Sequence, residues 1–273
     1  MAAASKPVPS PPTSPVATGP APSAPTASSA PREALVRDRG SVFRETVRAD
    51  RWIASGSVKV LKDIDIGTGQ VQGTTTLGGR LVADEFRARG TTEIEGEVEV
   101  RGALTTSGVA HFGAAVRAVD LTIGGSARFA APPLVGRALT VRGALVAPAV
   151  TAGLFRVDGS VDIPGEAVAQ QVDATLRRTS RLGLVRAPEV RIHGRRPTIV
   201  DKAFFHTLWT RVDRIEADRV DLSEVTVSFV RAGEIVLGRG AHLAEYEGTI
   251  VRRHPTSSVG FESKTPPPYG LRR

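Results

Sequence analysis

The consecutive segments GSVKVLKDIDIGTGQVQ (56–72), GTTTLGGRLVADEFRAR (73–89) and GTTEIEGEVEVRGALTTS (90–107) decide the fold. Each opens on a glycine. The opening glycine returns at Gly108, Gly125, Gly143 and Gly159, so that from Gly56 the successive steps are 17, 17, 18, 17, 18 and 16. Gly194 follows at twice that interval, the length of two units. The fifth position of the seven units reads Val60, Leu77, Ile94, Phe112, Phe129, Ala147 and Ile163, apolar every time. Within a unit the apolar period is two, the period of a strand. In TTEIEGEVEV (91–100), Ile94, Val98 and Val100 share a face with Gly96, and Glu93, Glu95, Glu97 and Glu99 take the other.

Stacked hairpins would need a turn dipeptide in every unit. One glycine per unit instead suits one corner of a coil. Each unit is then one turn, and like positions stack about 4.8 Å apart in parallel ladders. Seven or eight turns are expected from 56 to 193. A left-handed hexapeptide helix needs an apolar residue every six. Six beyond the fifth-position column come Ile66, Ala83, Val100, Ala118 and Val135, but twelve beyond come Gln72, Arg89, Thr106, Gly124 and Val141. The third side fails that test, and the uneven steps break a strict count. The prediction is an all-β protein, a right-handed parallel β-helix (a solenoid with about 17–18 residues per turn), since a fixed repeat interval marks one structural unit. One short helical segment and disordered termini complete it.

On either side of the repeat the composition changes. Residues 1–34 are rich in Pro, Ala and Ser; 9 of the 19 prolines lie before Arg32, where Lys6 is the one charge. Such a segment buries too little apolar area to offset its ordering entropy. Residues 35–55 read as a transitional or cap segment, with Val42, Phe43, Val47, Trp52 and Ile53 able to cover one end. The β-helix spans 56–193. Residues 194–213 read as a helical insertion or cap: Phe204, Phe205, Leu208, Trp209 and Val212 form one helical stripe, with Thr198 as N-cap after Pro197. Strand alternation resumes over 214–254 through Ile215, Val220, Leu222, Val225, Val227, Phe229, Ile235, Leu237, Leu243, Tyr246 and Ile250, about two more turns. Residues 255–273 read as a disordered, basic, Pro-rich tail.

Composition narrows the chemistry. The chain has no Cys, so thiolate metal sites, disulfides and cysteine nucleophiles are excluded. Aromatic residues make up 5%, as expected of a thin core filled by Val, Ile, Leu and Ala. The net charge of +8 sits at the ends: +3 over 1–55 and +4 over 252–273, against +2 and −1 for the two parts between. Nucleic acid is not an expected partner. No apolar run reaches the length of a membrane span, and the first residues lack the apolar stretch of a secretory signal. The expected location is cytoplasmic, with membrane association left open.

No Gly-Lys-Ser/Thr is present, and GTGQVQG (67–73) misses the dinucleotide-binding spacing. The four glutamates of 93–99 read as a solvated face. His111, His193, His206, His242 and His254 are not at metal-ligand spacing. His111 resembles the lone histidine of a hexapeptide acyltransferase, and Asp63, Asp65 and Arg80 imitate a polysaccharide-lyase groove, so a β-helix enzyme is one alternative. A monomeric adaptor that displays its tails is another. The preferred reading has no catalytic residues, cofactor or metal.

The sequence resembles the bactofilins, a polymer-forming bacterial cytoskeletal family. The resemblance lies in glycine-led turns such as GSVKVLKDIDIGTGQVQG (56–73) and in RIEADRVDLSEVTVSFVRAGEIVLGRGAHLAEYEGTI (214–250), and covers about 52–260. It implies a right-handed β-helix, nucleotide-independent filaments assembled end to end, and tails that recruit partners or membrane. The short apolar-basic peptide by which some members hold membrane is not found here. The physical case for filaments is the open ends of a solenoid, where ladder groups lack partners and core residues face water. The candidate polymerisation residues are Val58 and Val60 at one end, and Leu243, Tyr246 and Ile250 at the other, with no charge pointing inward. Arg252, Arg253, Lys264, Arg272 and Arg273 are the candidate contacts of the basic tail with an anionic membrane or other proteins.

Overall fold

A computed structural model describes residues 36–177, 179–195 and 210–262. These hold seventeen strands and no helix, and every strand pairing among them is parallel. The strands β3 (Val47–Val60), β4 (Ile64–Leu77), β5 (Leu81–Ile94) and β6 (Val98–Phe112) each wind through one turn. The fifth-position column is the register: Val60 pairs with Leu77, Leu77 with Ile94, Ile94 with Phe112 and Phe112 with Phe129. All seven members of that column are buried.

Further along, the turns break into shorter strands: β7 (Val116–Ile123), β8 (Ser126–Phe129), β9 (Leu134–Val141) and β10 (Ala144–Val146). The long β11 (Val150–Leu176) passes from one turn into the next. Then come β12 (Arg181–Arg186), β13 (Glu189–Gly194), β14 (Arg211–Ser223), β15 (Thr226–Leu237), β16 (His242–Arg253) and β17 (Ser258–Glu262). At the N-terminal side lie β1 (Val36–Arg39) and β2 (Val42–Phe43). Together they form a β-solenoid of about 12 turns.

Each turn has three faces, and each face sends two residues inward. In β4 these are Ile64 and Ile66 on the first face, Gly69 and Val71 on the second, and Thr75 and Leu77 on the third, all buried. Burying one such aliphatic side chain contributes roughly 1.5–3 kcal/mol. The repeat multiplies that gain along the coil. The glycine column holds the corner between the second and third faces. Gly90 has φ +105°, and a Cβ there would overlap the carbonyl oxygen of Gly73 one turn before. Leu176 takes the place between Gly159 and Gly194 in this column, so the double-length gap is two units, as expected.

Inward positions balance large against small. Trp52, Gly69 and Phe86 are successive members of one column. A Cβ on Gly69 would lie 2.5 Å from Phe86 Cδ2 and 2.7 Å from Ile66 Cδ1. The missing side chain accommodates its neighbours, and few aromatics are needed to fill the core.

Several expectations are corrected. The second face does carry a core column, through Val71, Ala88, Thr106, Ile123 and Val141, all buried. Uneven corners place it eleven or twelve places beyond the fifth position, which a rigid count of six misses. TTEIEGEVEV is not one strand: β5 ends at Ile94, residues 95–97 turn a corner on Gly96, and β6 starts at Val98. The cap segment 35–55 and the start of the tail 255–273 contribute strands β1, β2, most of β3, and β17. Residues 210–262 therefore make about three further turns rather than two. Of the expected helical stripe, Val212 is a buried residue of β14, paired with Leu182 and Val227. Phe204, Phe205, Leu208 and Trp209, and the tails 1–34 and 263–273, lie outside the described residues.

Candidate assembly surfaces

Among the described residues, the strands at the two ends are paired on one side only. β1 and β2 pair with β3, and β17 pairs with β16. The core columns reach these ends. Phe43 precedes Val60 in register, and Val259 follows Leu243. Four partly buried apolar residues pack on the core there: Phe43 at the N-terminal end, and Tyr246, Ile250 and Val259 at the C-terminal end. Beside them, Val42 is 60% exposed and Phe261 84%. Interior members of the same columns are buried because a turn lies on both sides of them. An end residue has a turn on one side, and part of its apolar surface faces water.

This moves the candidate interface. Val58 and Val60 are buried at 2% and 0%, one row in from the N-terminal end, because β1 and β2 form a further row. Leu243 is likewise buried beneath Val259. Tyr246 stands between Val230 and Glu262 in register and is half-buried. Ile250 is the last described member of its column, so of the five candidates it sits at an end as expected. As assembly candidates Phe43, which the sequence had marked only as a cover for one end, Val259 and Phe261 were missed. The repeat itself held the signal for the first two, since Phe43 precedes Val60, and Val259 follows Leu243, by one unit length.

None of those five residues is charged, but the register brings one charge to the C-terminal end. Arg253 pairs with Leu237 and so takes an inward place in the second-face column. It is exposed, and its Nη2 donates to the Ser257 carbonyl at 3.2 Å. Arg252 is exposed on the same strand, whereas Lys264, Arg272 and Arg273 lie outside the described residues. Phe229 points outward, with the Arg214 guanidinium 4.8 Å from its ring centroid.

The flanks are neutralised by ladders of alternating charge. Stacking brings every outward residue next to its equivalent one turn away, where like charges destabilise and opposite charges pair. Arg186, Glu216, Arg231 and Glu247 form one such column over four turns, and Glu166 reaches Arg186 from two places before its register partner Val168. Arg186 contacts Glu166 at 2.5 Å and Glu216 at 2.8 Å, and Arg231 contacts Glu247 at 3.2 Å. Burial pushes the Glu216 carboxyl up, but hydrogen bonds and charge from Arg186 and Arg214 outweigh it and leave the group below its ordinary range. On another flank Arg137 Nε donates to Asp120 Oδ1 at 2.7 Å. That hydrogen bond, with the guanidinium charge, lowers the Asp120 carboxyl.

The groups weighed for chemistry are engaged in structure. Asp63 Oδ1 accepts the Arg80 backbone N–H at 2.9 Å, and the Arg80 guanidinium reaches Glu99 at 2.5 Å. The corner at 95–97 places Glu93 and Glu99 on different faces, and His111 Nδ1 lies 3.9 Å from Glu93. Among the described residues no three His, Asp or Glu side chains gather as a metal site. A shallow depression of about 300 Å³ lies over Gly69, rimmed by Arg51, Thr68, Gln70, Glu85 and Arg87. No helix among the described residues is long and apolar enough to cross a membrane. No family model, curated protein or solved structure matches the chain.

Proposed function

We propose that this protein is a structural, filament-forming protein of bactofilin type, which polymerises end to end without nucleotide and acts as a cytoplasmic scaffold. One observation carries the reading: the core columns run through about 12 turns and arrive at both ends on partly exposed apolar residues, Phe43 at one and Tyr246, Ile250 and Val259 at the other. A second copy stacked there continues the parallel ladder and buries these residues. An interface that joins two different ends does not close on itself, so growth is open-ended. In this reading the terminal segments recruit partner proteins or anionic lipid, and the protein performs no catalysis and needs no cofactor.

Negative-stain electron microscopy and sedimentation of purified protein in plain buffer test this. Filaments that pellet equally with and without ATP, GTP or magnesium are expected. A monodisperse monomer at tens of micromolar across salt conditions overturns the reading in favour of an adaptor.

A further inference from the structure

We infer that the outward column of Phe229, Glu245 and Phe261 on the first face is a recognition site for a proline-rich, basic segment, and that the segment it holds is this chain's own C-terminal stretch KTPPPYGLRR (264–273). The site lies on the flank of the coil and does not depend on self-assembly.

Arg214, Phe229, Glu245 and Phe261 follow one another in register. Phe229 is half-buried, with the Arg214 guanidinium 4.8 Å from its ring centroid, and Phe261 is 84% exposed. Two places along the strands, across Val230 and Tyr246, runs a second outward column, in which Arg231 contacts Glu247 at 3.2 Å. The two rings therefore form an apolar strip beside a wall of neutralised charge. Glu245 stands between the rings. Glu216 and Glu247 are paired, whereas Glu245 has no ion pair or hydrogen bond among the described residues.

The spacing matches one kind of backbone. Phe229 and Phe261 are two rungs apart, about 9.6 Å along the coil. A polyproline II helix repeats every three residues, about 9.3 Å. Laid along the column, prolines on one side of it meet both rings in turn. Aromatic strips bind such segments at low entropic cost because the helix is preformed. The free carboxylate between the rings selects a segment that carries a basic side chain.

The chain supplies that ligand just beyond the last described strand. Pro266, Pro267 and Pro268 have the polyproline preference, Lys264, Arg272 and Arg273 carry positive charge, and residues 263–273 include no acid. β17 ends at Glu262, beside Phe261. Four residues from there to Pro266 span up to about 14 Å, more than the two rungs back to Phe229. The tether gives the segment an effective concentration of roughly millimolar. The prolines of residues 1–31 have Lys6 as their one charge and precede β1, at the opposite end of the coil. Docked on the flank, the C-terminal basic residues are withheld from other partners.

The test uses the full chain with p-benzoylphenylalanine in place of Phe229. Isotope-labelled and unlabelled chains are mixed and irradiated, and crosslinked peptides are mapped by mass spectrometry. Links from position 229 to residues 264–273 of the same chain are expected. E245K, or glycine at all three of positions 266–268, lowers their yield by about tenfold. In parallel, trypsin cleavage after Lys264 quickens by about tenfold in F229A and in E245K while circular dichroism stays native. Links only between chains, links to residues 1–31 in place of 264–273, no links to 264–273, or an unchanged yield and cleavage rate in E245K each overturn the proposal.

Discussion

The Phe112 ring stacks on the Phe129 ring, centroids 4.6 Å apart and planes inclined by 8°. These residues are one repeat apart in the chain and adjacent in the ladder. Truncating Phe112 removes the contact and opens a cavity that a one-turn-thick core cannot close. Phe112→Ala is expected to cost about 3–5 kcal/mol, and Phe112→Arg or Ile94→Arg to abolish the fold by burying an unpaired charge. Urea unfolding followed by circular dichroism measures the first and shows the second as lost strand signal.

At the ends the same substitution has a different outcome. Phe43→Arg, Ile250→Arg and Val259→Arg leave the new charge in water until another copy docks, so folded but short or monomeric species are expected. Val60→Arg and Leu243→Arg place it between two turns, and these chains are expected to unfold as Ile94→Arg does. Circular dichroism compared with pelleting separates the groups. Long filaments from all three end variants would mean that assembly does not use the solenoid ends.

Gly90→Ala is expected to destabilise the coil by more than about 1–3 kcal/mol, since it adds a Cβ at φ +105° and drives it into the Gly73 carbonyl. At Gly136 the nearest heavy atoms to a new Cβ are 3.9 Å away and φ is not in the left-handed region, so Gly136→Ala is expected to be tolerated. Their denaturation midpoints, measured side by side, check the contrast.

The lowered Asp120 carboxyl makes stability depend on pH. The folded value lies below the unfolded one, so the pair with Arg137 contributes above the ordinary carboxylate range near 4. The contribution fades as pH falls through the lower folded value. The pair is surface-exposed, and its effect is small and screened by salt. The midpoint gap between wild type and Asp120→Asn is expected to be present at pH 7 and to shrink towards zero near pH 2. A gap that persists unchanged at low pH would assign it to packing instead of charge.

Removing residues 264–273 is expected to leave strand content and assembly intact, because β17 ends at Glu262. Removing 258–273 deletes β17 and uncovers Leu243. That shorter chain is expected to show a lower melting temperature and altered assembly by differential scanning calorimetry and sedimentation. Equal behaviour of both truncations would show that β17 adds nothing to the coil.

The repeat was legible in the sequence because a solenoid converts near neighbours in space into a fixed interval along the chain. Glycine at the corner and an apolar residue at the fifth place obey backbone sterics and burial that are the same in every turn. Those two columns, the parallel stacking and the absence of a phosphate loop needed nothing beyond the chain itself and the spacing from Gly56 to Gly159. The ends were not legible in the same way. Val42, Phe43, Ser258 and Val259 lie towards Pro-rich, polar sequence, and local composition outweighed the period that continues through them. Whether Val60 or Phe43 faces water depends on whether one more row lies above it, which is a property of the stacked coil and not of either residue. The same holds for Arg253. In the chain it is one of several basic residues near the C-terminus, and pairing with Leu237 alone makes it the charged end of a core column.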